Sequence, residues 1–147
     1  MRKNEEVAIF LFNNGYNCAQ SVLSSFADAL KFDLKLAQSI SAGFGAGMGR
    51  QQETCGAVTG AYMVIGIYNS AHYNDNSLAK EYSNQMIQDF TNQFQKEHDS
   101  LNCKSLISCD LNTELGQSDY QKNKLSETVC KRCISSSINI LNKLIQI

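Results

Sequence analysis

Proline is absent from the chain. That removes the strongest helix breaker and leaves glycine and asparagine to punctuate it. Charge is also scarce. Charged residues make up 18% of the sequence and the net charge is -1. There is therefore no basic field to attract nucleic acid and no acidic tail. No apolar run is long enough to span a bilayer. The opening stretch MRKNEEVAIFLF holds Glu5 and Glu6 ahead of a short apolar run. That run is too short for a signal-peptide core, and no small-residue cleavage site follows. The expectation is a cytoplasmic protein with neither a nucleic-acid nor a membrane partner. Thiols stay reduced in that compartment, so the six cysteines read as catalytic or metal-binding rather than as disulfides.

A chain of 147 residues with 43% hydrophobic content fits one core, so residues 1–147 read as a single domain. The apolar spacing is helical almost throughout, and no alternating strand pattern competes. The first helix falls at about 4–13, with Val7, Phe10 and Leu11, and Gly15 follows it. Asn17 is placed to cap a helix over about 18–31, and Asp33 another over about 34–42. Thr54 reads as the cap of a buried helix over about 55–69. The clearest amphipathic helix runs over about 77–97, where Tyr82, Met86, Phe90 and Phe94 recur every four residues. That stripe suits either the core or a homodimer contact. Ser100 reads as the cap of a short helix to about Ser108, Asp110 to Lys124 as a polar loop, and Ser126 as the start of the last helix. The fold class expected is an all-α, single-domain helical bundle of about five to seven helices.

Four cysteines fall at predicted helix starts in four separate segments: Cys18, Cys55, Cys103 and Cys130. A thiol in the first turn of a helix lies near unpaired N–H groups and the positive end of the dipole. Both favour the thiolate, which is the nucleophile and the metal ligand. The bland alternative is buried filler, since free cysteine packs as a small hydrophobe. Cys130 and Cys133 form a Cys-x-x-Cys around Lys131 and Arg132. This resembles half a zinc site, but the wider spacing of Cys103 and Cys109 is a poor second half. Cys133 also falls in line with Ser137 and Leu141, which suits core packing. His72 and His98 have no metal-ligand partner at helical spacing.

The stretch GFGAGMGR fails as a nucleotide fingerprint, because Met48 stands where a third glycine is needed and no strand precedes it. It reads as a loop whose N–H groups face something anionic or that closely approaches another helix. Arg50 stands beside it as a candidate cation near Cys55. Gly56 and Gly60 share a helix face and predict tight packing that brings Cys55 near another element. Gly56 and Arg50 are thus candidates for contact with any cofactor the thiols hold.

With these residues in view, the chain resembles the C_GCAxxG_C_C family of redox-active proteins. The matching pieces are GYNCAQSVL, GFGAGMGRQQETCGAVTGAYMVIG, LNCKSLISCDL and VCKRC. The second, with Cys-Gly-Ala-x-x-Gly, is the most specific. The resemblance implies a redox role with Cys18, Cys55, Cys103 and Cys130 as the shared positions and Cys109 and Cys133 as less central. Lys131 departs from the proline usual after the last cysteine. Three functions remain open. The thiols exchange with disulfides, Cys55 attacking and a second cysteine resolving. Or the four cysteines ligate an iron–sulfur cluster for electron transfer or sensing, zinc being a weaker cofactor choice. Or the chain is a non-enzymatic helical interaction module. The first two imply a redox partner protein or a small-molecule electron donor or acceptor.

Overall fold

The computed structural model describes residues 2–146. It is all-α, and no strand occurs among the described residues. The helices are α1 (Arg2–Asn13), α2 (Cys18–Ser25), α3 (Ala27–Leu30), α4 (Leu34–Ser41), α5 (Gly56–His72), α6 (Asn76–His98), α7 (Cys103–Ile107), α8 (Glu114–Lys122) and α9 (Lys131–Ile145). A short 3-10 turn, Ala42–Phe44, follows α4, and a π turn, Ser126–Cys130, runs into α9. Seven of the helices have seven or more residues, within the number expected.

Helix α5 is the centre of the bundle. It packs against α2, α6 and α9. Ala57, Val58, Ala61, Val64 and Ile65 on it are fully buried, as its composition suggested. The core is closed by Phe26 of the α2–α3 junction, Phe90 and Phe94 of α6, and Ile134, Ile138 and Leu141 of α9. Only the second half of the α6 stripe enters this core. Tyr82 is exposed and stacks on Tyr73 with ring centroids 4.5 Å apart.

The small residues of α5 set its closest contact. A Cβ on Gly60 would lie 2.8 Å from the Ala19 carbonyl oxygen, and one on Gly56 would lie 2.5 Å from the Cys18 sulfur. Glycine is what lets α2 lie this close, so the two helix starts that carry Cys18 and Cys55 come together.

Several boundaries differ from the sequence expectation. The helix predicted over 18–31 breaks at Phe26, whose N–H bonds to Leu23 rather than to Val22. The Ser25 hydroxyl takes the Val22 carbonyl instead, at 2.7 Å. A serine that competes for a helical carbonyl bends the helix at that point. Thr54 does not cap α5. It forms an isolated antiparallel bridge with Asn102, and Cys55 takes the cap position without a side-chain cap. Asn102, not Ser100, caps α7, accepting from the Ser105 N–H. The segment read as a loop over 110–124 contains α8, capped by Thr113 through the Gly116 N–H at 2.9 Å.

Candidate functional site

Each cysteine is delivered by its own local device. Asn17 and Gln20 form a reciprocal capping box, so α2 starts at Cys18. Cys55 and Cys103 are fixed by the bridge between their segments. The Cys55 N–H donates to the Leu101 carbonyl and the Cys103 N–H to the Glu53 carbonyl, both at 2.7 Å. Cys130 ends the π turn with helical backbone angles, φ -61 and ψ -45. It therefore lies inside a continuing helix and not at a free N-terminus, which corrects the expectation for this one residue. A π turn changes the register and re-aims the side chains around it, and is frequent at functional sites.

These devices converge. Cys18, Cys55, Cys103, Cys130 and Cys133 line one cavity of about 180 Å³. Phe12, Leu106, Ile107, Leu111 and Val129 supply apolar walls, and Gly56, Ala46, Asn17 and Tyr120 complete it. All four cysteines singled out from the sequence are present. Cys133 joins them, because positions three apart share a helix face and both it and Cys130 turn inward. Cys109 is outside the cavity lining. All six thiols are free.

The electrostatics oppose free thiolates. The Cys18 thiol is held well above its ordinary value, first by the neighbouring Cys55 sulfur and then by burial. The backbone N–H groups of Ala46 and Ala19 donate to its sulfur and pull the other way. The Cys55 thiol is also pushed far up, first by contact with Cys133 and further by burial, against lowering contributions from Cys18 and the Ala57 N–H. Burial pushes Cys103 up to about 12, with the charges of Cys18, Cys130 and Cys109 adding to it and Gln52 opposing. Burial pushes Cys130 up to about 11, opposed by a hydrogen bond with Tyr120. The helix-start N–H groups do act as expected, but burial and thiol crowding outweigh them.

The glycine-rich loop supplies one of those donors. Five consecutive residues, Ala46 to Arg50, have φ between 50° and 69°, and Gln52 follows at 58°. Three of the five carry a Cβ, and such strain concentrates at functional sites. The loop folds back so tightly that a Cβ on Gly47 would meet the Gln52 backbone at 2.5 Å. Gln52 itself is buried and holds the opposite wall, donating to the Cys109 carbonyl and accepting from the Leu111 N–H, each at 2.7 Å. Arg50 does not line the thiol cavity. Its side chain is exposed beside a separate surface cleft.

Sequence reasoning missed Tyr120 and Gln52, and ranked Cys133 as less central although it lines the cavity. The Tyr120 hydroxyl lies 3.4 Å from the Cys130 sulfur. The Thr113 cap, with Glu114 in the first turn and Lys122 in the last, was the signal for the helix that carries it.

Among the described residues, no three His, Cys, Asp or Glu side chains are gathered closely enough to hold one metal ion. Sulfurs about 2.3 Å from a single tetrahedral ion must lie within roughly 4 Å of one another. The ligands of a polynuclear cluster bind different irons and stand further apart. The donor set, four thiols of four segments around one cavity, is the ligand type that iron–sulfur clusters use.

Fold and site together define a helical bundle with a cavity lined by cysteine thiols. The family described as "Putative redox-active protein (C_GCAxxG_C_C)" matches residues 16–144, and the chain belongs to it. No curated protein and no solved structure matches the chain.

Proposed function

We propose that this redox protein carries electrons, or senses redox state, through an iron–sulfur cluster held by Cys18, Cys55, Cys103 and Cys130. One observation carries the reading: sulfurs from four distant segments line a single cavity with apolar walls. Bound there, such a cluster supplies one-electron transfer. The chain's own part is to exclude water with Phe12, Leu106 and Val129 and to aim backbone N–H groups at sulfur from Ala46, Ala19 and Ala57. A thiol-exchange enzyme needs an accessible thiolate. Here Cys55, the candidate attacker, is 7% exposed and its thiol is held protonated. The redox partner is a protein or a small molecule that gives or takes single electrons. Free thiols throughout suit a reducing compartment such as the cytoplasm. No helix among the described residues is long and apolar enough to cross a membrane.

Thiol–disulfide exchange is the second reading, favoured by the contacts of Cys55 with both Cys18 and Cys133. In that case two thiols release two protons and two electrons, and a disulfide on the partner becomes two thiols.

Anaerobic reconstitution with ferrous iron and sulfide separates the two. The cluster reading predicts stoichiometric iron, absorption at about 400 nm from iron–thiolate charge transfer, and loss of both on serine substitution of Cys18, Cys55, Cys103 or Cys130. A colourless, iron-free protein that instead forms a disulfide with a small disulfide reagent transfers the assignment to exchange.

A further inference from the structure

The cavity wall contains one hydroxyl that touches a thiol. Tyr120 is half-buried on α8, with its oxygen 3.4 Å from the Cys130 sulfur. The other polar side chain in the wall, Asn17, is already committed to capping α2 and to the Ala42 carbonyl. Cys130 ends the π turn inside a continuous helix, so the only backbone N–H acting on its sulfur is its own. The phenol is thus the donor from another segment at Cys130, as the Ala46 N–H is at Cys18 and the Gln52 side chain at Cys103.

We propose that Tyr120 is a positioning residue, donating a hydrogen bond to the Cys130 sulfur and thereby setting the reduction potential of the group held in the cavity. This rests on the cluster reading above. A phenol is a donor and keeps its proton in the neutral range. Hydrogen bonds to sulfur are among the determinants of cluster potential. The bond strengthens when the group gains an electron, because negative charge on the sulfur grows. It therefore favours the reduced state and raises the potential. The electron comes from the reductant, no proton leaves the phenol, and no covalent bond changes.

The test is a spectroelectrochemical titration of protein reconstituted with ferrous iron and sulfide, using dithionite as reductant. Tyr120→Phe removes only the hydroxyl. The expected result is wild-type iron content with a midpoint displaced to more negative potential. Tyr68→Phe, on α5 and absent from the cavity lining, should leave the midpoint unchanged. An unchanged or more positive midpoint in Tyr120→Phe overturns the proposal. So does lower iron with an unchanged midpoint, which marks a merely structural role. If Tyr120→Phe does not fold, 3-fluorotyrosine at position 120 keeps the shape and strengthens the donor. Its midpoint should then move to more positive potential, and no movement overturns the proposal. A wild-type protein that takes up no iron overturns this inference together with the cluster reading. A loaded wild type with an unmoved variant overturns this inference alone.

Discussion

Two glycines of one helix should respond to the same substitution with opposite sign. Gly60 and Gly66 both lie in α5, where alanine is intrinsically better than glycine by about 0.8–1.0 kcal/mol. At Gly66 an added Cβ meets nothing within 4 Å. Gly66→Ala should therefore stabilise by about 0.5–1 kcal/mol. At Gly60 the same Cβ would meet the Ala19 carbonyl oxygen at 2.8 Å, the Ala19 Cα at 3.2 Å and the Val22 Cβ at 3.3 Å. Two of these atoms are backbone, so α2 must move as a unit. Overpacking of this kind costs about 1–3 kcal/mol, which exceeds the propensity gain. The net expectation for Gly60→Ala is a loss of about 1 kcal/mol, and a gap of roughly 2 kcal/mol between the two variants. For a chain of this size, 1 kcal/mol moves the melting temperature by roughly 2–4 °C. Thermal and urea unfolding followed by circular dichroism would resolve that gap. If Gly60→Ala proves as stable as Gly66→Ala, the close α2–α5 approach that joins Cys18 to Cys55 is wrong.

Two further expectations concern stability. The metal-free protein should weaken as pH rises above about 9. Cys103 and Cys130 start from an ordinary thiol value of 9.0 and reach about 12 and about 11 in the fold. A folded value above the unfolded one means that the folded chain binds more protons, so this stability is whole below about 9 and is lost towards 11 and 12. A urea midpoint no lower at about pH 10 than at about pH 8 would contradict this assignment. Gln52→Ala strips the partners from the Leu111 N–H and the Cys109 carbonyl, which should cost about 1–3 kcal/mol. A melting temperature equal to wild type would show that the glutamine does not hold that wall.

Much of this arrangement was legible where local chemistry and tertiary packing agree. Asn17 and Asp33 cap the helices they were expected to cap. The apolar circumference of α5 and the Gly56–Gly60 face announced a buried helix in close contact, and α2 is that neighbour. What escaped was decided by competition between segments. Thr54 is a good cap in isolation, but pairing with Asn102 takes it away. Helix α8 buries little of itself, and Leu115 on it is 74% exposed, so no apolar stripe marked it. The place of Cys130 and Cys133 in the cavity depends on a π turn, which shifts a register that a 3.6-residue period assumes constant. Arg50 was expected near Cys55 from sequence proximity, but the left-handed run turns the chain before it arrives.

The dispersal of the cysteines has a consequence for how the site comes into being. A contiguous cysteine motif can fold around its cofactor as a short peptide. Here the first thiol opens α2 and two others lie beyond α8, so the cavity exists only after the long loops between them have closed. Whatever occupies it acts as a clasp on the whole chain, and its binding energy adds to the stability of the fold by mass action. Occupancy and foldedness then rise and fall together, and a fragment lacking either end of the chain would lose the chemistry with the clasp.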